Sequence, residues 1–536
     1  MRDLPPIGKL PDIDAAAQRV VRAILQGETV GLLLDHDADG VTAGAVLWTV
    51  MTENFGFPAG KLHAVLSHRI QEGYGVSDKL VDRILALDPM PSLVITADQG
   101  SCDQPRIERL RAAGIETIVS DHHLVPDEGV PTDALACINP ARGDSAFEDR
   151  TIAGCMVAWC LMVAVGRLLA EAGHPVRGSM QTALQFVGLG TLADCVDLGA
   201  SRMNRFAVQT ALARMRTSDL PIWRAFAAKS RGQIDSASVA FQWIPRINAA
   251  GRMRDASQAL AALCSRDDMI ATAWVEELDA ANRSRKESQA ALTERAMAMA
   301  EEIVAGGARA LCLPFYVDGH AGVHGIVAAR VVEATGLPTV CLSMAAEPEH
   351  WMTGSIRSIE GAHAKDALDA IAAQYPHLQI KYGGHAFAAG VRMPVQSVPE
   401  FALVWEEAIG AALAGKPASP LRHDGPLGQP PSREAVQEIQ ALEPFGKGFP
   451  MPVFCDQVEV LRIRPLKAGS QHMSLDVAFP GGVTHRMVWF GCLDADGRAP
   501  IQPGFHTLGY ELAASTYKRG PGFDLIVRQA IGLEPR

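Results

Sequence analysis

Thr117-Ile118-Val119-Ser120-Asp121-His122-His123 is a short, β-favouring run that ends abruptly in one carboxylate and two imidazoles. The same punctuation occurs twice more. Val30 to Leu34 runs into Asp35-His36-Asp37-Ala38-Asp39-Gly40, and Leu93 to Ala97 runs into Asp98. Apolar runs that each stop at polar, chemistry-bearing residues are expected of an α/β fold with a parallel sheet, whose site lies at the strands' carboxyl edge. Carboxylates crowded along one edge repel each other unless divalent cations lie between them.

Outward from these runs, residues from about Pro11 to Leu212 alternate strand-like and helix-like stretches, as a doubly wound domain does. The stretch Ser265 to Ala305 contains neither glycine nor proline. Trp274, Leu278, Ala281, Leu292, Ala296, Met299 and Ile303 fall largely at three- and four-residue spacings there. Ser265 followed by Asp268 suits an N-cap with an acidic first turn. At about 1.5 Å per residue such a helix spans roughly 60 Å and reads as a connector between two lobes. After Gly306-Gly307 the α/β pattern resumes, with strands expected at Ala310 to Phe315, Thr339 to Ser343 and Met352 to Ile356. This lobe ends near Gly415. Residues 416 to 435, rich in proline and polar groups, read as a linker. Beyond Val453, β-rich segments at Phe454 to Ile463, His485 to Phe490, His506 to Leu512 and Phe523 to Val527 suit a small β-barrel.

A chain of 536 residues with 48% hydrophobic content holds several cores. Its ten cysteines show no C-x-x-C pairing and read as reduced thiols of a cytosolic protein. The start, Met1-Arg2-Asp3-Leu4-Pro5-Pro6, has no apolar signal region. Sixteen uncharged residues between Arg150 and Arg167, interrupted by glycine, read as a buried helix rather than a membrane span. The net charge of −11 is unevenly spread. Arg202 to Lys286 carries 14 Lys/Arg against 8 Asp/Glu, a basic stretch beside acidic clusters.

Asp35-x-Asp37-x-Asp39-Gly40 resembles the start of a calcium loop, but position 12 is Val46, so an EF-hand is excluded. Taken singly, each remaining candidate has an ordinary reading: Asp98 near Gly100 as a turn, His122-His123 as a core pair, Asp194 as a cap. Their joint appearance at element ends of one domain is what favours metal. Carboxylates with one or two imidazoles suit Mn²⁺ or Mg²⁺ better than a thiolate-seeking metal. A pair of such ions activates water and clamps a phosphate, the arrangement used for phosphodiester hydrolysis. No G-x-x-x-x-G-K-[ST] motif is present, and Gly188-Leu189-Gly190 extends to no dinucleotide fingerprint. A nucleotide-driven motor and a dehydrogenase are thereby disfavoured.

The acidic motifs, in this order and spacing, resemble the DHH phosphoesterase superfamily, and nearly the whole chain resembles its RecJ branch of single-strand-specific DNA exonucleases. His68 to Gly75 is similar to the R-x-x-E-G-Y-G segment, and Pro245 to Arg252 matches P-R-I-N-A-A-G-R residue for residue. His320 to Ala328 resembles H-x-G-V-x-G-I-V-A. Gly354 to Ser358 and Gly383 to Gly390 resemble the DHHA1 signatures, and Glu443-Pro444-Phe445-Gly446 the approach to the OB-fold. Two departures stand out: His36 where tyrosine is usual, and Gln99 where asparagine usually follows the aspartate. The N-terminus is shorter than in typical relatives, and the C-terminal barrel matches least well.

The resemblance implies a layout: a DHH parallel-sheet domain with a basic helical extension over residues 1–264, a connector helix over 265–305, a DHHA1 α/β domain over 306–415, and a linker with an OB-like β-barrel over 416–536. It implies Asp37, Asp39, Asp98, His122 and Asp194 as ligands of two Mn²⁺ or Mg²⁺ ions. Asp35 and His123 stand beside the ions or touch the scissile phosphate. Arg69, Ser355 and Arg357 hold the DNA's terminal 5′-phosphate. The glycines of Gly383-Gly384-His385 let backbone amides approach a phosphate, and Asn248 and Arg252 grip the strand near the cut. Phe445, Trp489, Tyr510, Tyr517 and Phe523 either stack bases or fill the barrel, with the core reading favoured. The implied activity is 5′→3′ hydrolysis of single-stranded DNA to mononucleotides in DNA repair and recombination. A cytoplasmic monomer is expected, with a single-stranded-DNA-binding protein and a repair helicase as partners and no membrane. The alternatives are another DHH phosphodiesterase, of nano-RNase or cyclic-dinucleotide type, and a non-catalytic DNA-binding scaffold.

Overall fold

The computed structural model describes residues 4–230, 233–253, 255–346, 350–413, 422–467, 470, 472–493, 497–515 and 522–531. Five short strands come first: β1 (Val30–Leu34), β2 (Leu62–Leu66), β3 (Leu93–Ala97), β4 (Glu116–Ser120) and β5 (Ala136–Ile138). All pair in parallel, in the order β2-β1-β3-β4-β5. β1 and β3 are buried at every position, so their sequences are continuous apolar runs rather than alternating ones. The chain leaves β1 for β2 on one side and returns to β3 on the other. A crevice opens where the order reverses, beyond the strands' carboxyl ends. Asp35 N donates to Ala97 O and Asp98 N to Ser120 O, so the acid-bearing loops continue the ladder before they diverge.

The helix Gly154–Glu171 is long and apolar enough to cross a membrane, but 72% of it is buried within the protein. It packs against the helices Ile13–Gln26, Ala38–Thr49 and Leu184–Ala193 as a core helix. The stretch without glycine or proline forms one 38-residue helix, Asp268–Ala305. Asp267 caps it, accepting from Ile270 N at 2.9 Å. Ser265, the expected cap, instead ends the preceding helix Ser257–Cys264. A cap must directly precede the first helical residue for its oxygen to reach the first-turn amides, and Ser265 stands too early. The first half of the long helix packs on Pro221–Ala228 and Ile244–Met253. Leu292, Ala296 and Ala300 in its second half enter the core of the next lobe.

That lobe holds β6 (Leu311–Phe315), β7 (Thr339–Met344), β8 (Trp351–Arg357), β9 (Lys381–Gly384) and β10 (Ala388–Pro394), in the order β6-β7-β8-β10-β9. β6 and β7 are parallel and the other pairs antiparallel. β8 alternates between core and cleft, with Met352 and Ile356 buried and Ser355 and Arg357 on the opposite, half-buried face. The β9–β10 hairpin carries the two-glycine motif, whose weak strand propensity hid it from a sequence reading.

The C-terminal strands β11 (Phe454–Pro465), β12 (Met473–Ala478), β13 (Thr484–Trp489), β14 (Gly504–Ala514) and β15 (Phe523–Ile531) close into a barrel, in the order β11-β12-β13-β15-β14. β12 has no counterpart among the expected strands. Tyr510 and Phe523 lie in the barrel core, and Phe445 and Trp489 pack half-buried against it. Tyr517 lies outside the described residues. The helix Arg433–Gln440 begins inside the stretch expected to be linker. The compact unit containing the barrel also takes in Asp197–Ala200 and Arg231–Ser238. There Leu198 N donates to Lys447 O, and Ser236 Oγ donates to Glu443 Oε1.

Candidate metal centre

The acid-bearing loops are held by hydrogen bonds from backbone amides, both their own and those of distant segments. After β1, Asp37 caps the helix Ala38–Thr49, its Oδ1 accepting from Asp39 N at 2.9 Å and Gly40 N at 3.2 Å. Asp39 is buried, and the amino end of Gly154–Glu171 points at it. Gly154 N donates to Asp39 Oδ2 at 2.7 Å, and Cys155 N donates to Asp39 Oδ1 at 3.0 Å. This is a helix terminus used as an anion holder. A Cβ on Gly154 would lie 2.4 Å from Asp98 Oδ1, so the close approach requires glycine. Asp98 has φ +63, a left-handed turn at the end of β3 that aims its carboxylate into the crevice.

The DHH loop is organised by Asp121 itself. Its Oδ1 accepts from His122 N at 2.7 Å, His123 N at 3.2 Å and His123 Nδ1 at 2.8 Å, while Oδ2 accepts from Ser101 N at 2.9 Å. Asp121 is therefore committed to shaping the loop. His122 is left pointing at the acids, with Nε2 3.1 Å from Asp98 Oδ1, 3.5 Å from Asp194 Oδ2 and 3.8 Å from Asp39 Oδ2. Asp194 comes from the carboxyl end of the helix Leu184–Ala193. Three overlapping sets of potential ligands result: Asp98-His122-His123, Asp39-His122-Asp194 and Asp35-Asp37-Asp98. Asp98 and His122 each belong to two of them.

The electrostatics fit a cation. Burial and the neighbouring carboxylates of Asp39 and Asp37 hold Asp98 well above the usual carboxylate range. Burial, opposed by His122 and helped by Asp39 and Asp37, pushes Asp194 up to about 7. Asp37 is raised by burial and by Asp35 and Asp39. Asp98 Oδ1 and His122 Nε2 are buried without a hydrogen-bond partner. Orphaned buried polar atoms that converge with repelling carboxylates on one point fit a divalent pair. Asp35 differs. Against its burial, the His36 imidazole at 3.0 Å and the Ser67 hydroxyl at 2.9 Å hold it at about 2. Asp121 likewise raises His123 to about 10 despite burial, leaving a cation at the rim of the acid cluster.

Beside the acids lies a group of cations. The Arg69 guanidinium sits 5.0 Å over the Tyr74 ring, which is 5.3 Å from the His36 ring. Burial and the neighbouring Arg69 push Arg252 down to about 10, and the same two influences lower Arg357. The Arg357 guanidinium lies on the amino end of the helix His324–Thr335, where a Cβ on Gly325 would be 2.7 Å from Nη2. His324 Nε2 is buried without a hydrogen-bond partner, and burial, His320 and Arg69 push His324 down to about 3. Arginines gathered beside a helix amino end have the chemistry to take an anion with several oxygens.

The remaining expected site residues divide. Ser355 shares the cleft face of β8 with Arg357. Asn248 Oδ1 accepts from Ala38 N at 2.8 Å, so its carboxamide braces the metal loop. Gly383 has open space where a Cβ would be, as a backbone approach to a phosphate needs. Gly384 is required within the hairpin, since its Cβ would lie 2.5 Å from Ala388 O. His385 follows on the turn, two strands out from β8. In the basic stretch, Arg224, Lys229, Arg246, Arg266 and Arg283 are spent in ion pairs with Asp268, Glu276, Asp279, Glu53 and Asp279. Sequence reasoning assigned no role to Asp121, Ser67, Tyr74, Gly154 or His324. Tyr74 stood within a quoted motif, whereas the tasks of Ser67 and Gly154 depend on contacts that no local pattern carries.

Matches to known families agree with this architecture. The chain matches the DHH family N-terminal domain over residues 29–191, the DHHA1 domain over 309–411 and the RecJ OB domain over 430–529. It is 31% identical over 503 residues to the single-stranded-DNA-specific exonuclease RecJ of Salmonella typhimurium, covering 90% of this chain and 84% of that one. The Escherichia coli RecJ is 30% identical with the same coverage. The crystal structure of RecJ from Thermus thermophilus in complex with Mn²⁺ superposes with a TM-score of 0.78 at 25% identity, over 98% of this chain and 72% of that one. By its domains and by identity along nearly its full length, the chain belongs to the RecJ family.

Proposed function

We propose that the protein is a 5′→3′ exonuclease that hydrolyses single-stranded DNA to mononucleotides with two divalent ions, Mn²⁺ or Mg²⁺. The observation that carries this reading is the convergence of orphaned Asp98 and His122 atoms with Asp37, Asp39 and Asp194, beside a cluster of three arginines. Relatives named for single-strand-specific exonuclease activity support it. When bound, the ions supply a nucleophile at neutral pH and neutralise charge on the phosphate.

The chain's own residues do the rest. Asp37, Asp39, Asp98, His122 and Asp194 hold the ions. Asp35, kept ionised by His36 and Ser67, stays an acceptor beside them. His123, charged by Asp121, is placed to donate a proton or hydrogen bond to a phosphate oxygen. Arg69, Ser355 and Arg357 hold the terminal 5′-phosphate, Gly383, Gly384 and His385 line its approach, and Asn248 and Arg252 stand between phosphate and metal. The domain divisions at 264, 305 and 415 separate metal chemistry, connector, strand anchoring and barrel. We place the enzyme in the cytoplasm as a monomer acting in repair and recombination, beside a single-stranded-DNA-binding protein and a repair helicase.

The test is direct. Protein with Mn²⁺ is given single strands labelled at the 5′ or the 3′ end. Early release of 5′-labelled mononucleotide, absent in Asp98→Ala, is expected. Early loss of the 3′ label overturns the polarity and the roles of Arg69, Ser355 and Arg357. Equal activity on short oligoribonucleotides would move the protein to another DHH class.

A further inference from the structure

One short helix, Ile244–Met253, runs between the metal loop and the arginine cluster and is fastened to both. On the metal side, Asn248 Oδ1 accepts from Ala38 N, the amide between ligands Asp37 and Asp39. Gly251 lies so close that a Cβ would be 2.4 Å from His36 O. On the other side, Arg252 Nη1 donates to Gly322 O at 3.1 Å, and a Cβ on Gly322 would be 2.3 Å from Arg252 O. Gly322 sits in the turn Ala321–Val323, directly before the helix end that carries the Arg357 guanidinium. Arg246 also pairs with Asp279 of the long helix at 2.8 Å. The residues Ile244, Ile247, Ala249, Ala250 and Gly251 are buried, so the helix cannot slide.

We propose that this helix is a spacer that fixes the distance from the metal centre to the terminal-phosphate pocket and thereby sets the released product at one nucleotide. The inference rests on the exonuclease reading above. An enzyme that anchors a strand's end and cuts at a fixed point releases a product as long as the gap between them. Here the pocket draws Arg69 from the lobe of the metal centre and Ser355 and Arg357 from β8 of the next lobe. Contacts that reach backbone at both ends, with no room for a methyl group, pass the position of one lobe to the other without side-chain slack. A displacement of about 1 Å is enough to misalign a reacting phosphate. Asn248 and Gly322 act through this helix as positioning residues.

The experiment uses the full chain, saturating Mn²⁺ and single-stranded DNA carrying a labelled 5′-phosphate, and reads the length of the first labelled product. The parent protein releases mononucleotide. Gly322→Ala is expected to release di- and trinucleotides as a tenth or more of the product, with Mn²⁺ bound per chain, counted by electron paramagnetic resonance, unchanged. Asn248→Leu, which removes the acceptor, should broaden the product in the same way, and Asn248→Asp, which keeps an acceptor oxygen, should restore mononucleotide. Should Gly322→Ala fail to fold, the Asn248 pair decides alone. Slower release of mononucleotide only, in Gly322→Ala and Asn248→Leu alike, overturns the spacer while leaving the exonuclease reading intact. A parent protein that does not attack the 5′ end overturns that reading first.

Discussion

His122 Nε2 lies 3.1 Å from Asp98 Oδ1, and neither of these buried atoms has a hydrogen-bond partner. A native core rarely leaves such a pair unsatisfied, and a shared cation resolves it. Because Asp98 joins two of the three ligand sets, Asp98→Asn should cost more than one ion's worth of binding. Titration with Mn²⁺, read by electron paramagnetic resonance, should find two ions in the parent and fewer than one in the variant. Nuclease activity should fall at least a thousandfold. A variant that still binds two ions tightly contradicts the shared-ligand assignment.

Chelation should be visible in stability. Metal at about 100 times its dissociation constant stabilises a folded state by about 2.7 kcal/mol. Adding EDTA to the manganese-loaded protein is expected to lower the melting temperature by several degrees, and Asp98→Asn should show no such drop. Scanning calorimetry on both proteins checks this.

Asp121 holds the loop that carries His122 and His123. Replacement by Asn puts an amide group where Asp121 accepts four bonds. Leaving buried amides unsatisfied costs about 2 kcal/mol. Denaturant unfolding of metal-free Asp121→Asn should show that loss, together with weaker Mn²⁺ binding because His122 is no longer aimed.

Asp103 gives the metal-free protein a pH dependence separate from the ligands. Burial, with Asp121 adding to it and the Val76 amide opposing, pushes Asp103 up to about 6. A carboxyl whose folded value exceeds its unfolded value of about 4 binds its proton more tightly when folded. Its destabilising effect is absent below pH 4, grows between about 4 and 6, and is complete above 6. Asp103→Asn should therefore match the parent at pH 4 and exceed it by about 2 kcal/mol at pH 8 in EDTA. Unfolding curves at the two pH values test the sign.

Arg357→Lys keeps the charge and loses the planar fork. The expected result is a tenfold or larger rise in KM for 5′-phosphorylated strands, with little change for 5′-hydroxyl strands. Equal effects on both would show that Arg357 does not read the terminal phosphate.

The strand-end acids were readable because three buried parallel strands leave unbroken apolar runs, and the first polar residue after each run must stand at the sheet edge. The long helix was readable from its period, but its cap was placed two residues early because Ser265 and Asp267 are equally good cap residues. The β9–β10 hairpin and β12 were missed for want of a strong local signal, glycine in the hairpin and a short run in β12. Which arginines of the basic stretch meet carboxylates was not legible, because charge counted along a chain does not show which residues meet in space.

By itself the sequence determined which side chains are available for metal and phosphate, and that they stand at strand and helix ends, since period and propensity are local properties. Only the tertiary structure decided what those side chains do. Asn248 braces a loop 210 residues away, Asp39 is held by a helix end 115 residues on, and Asp121 turns inward while His122 faces the acids. Those tasks follow from contacts between distant segments, whose partners are chosen by packing and charge compensation in a closed interior.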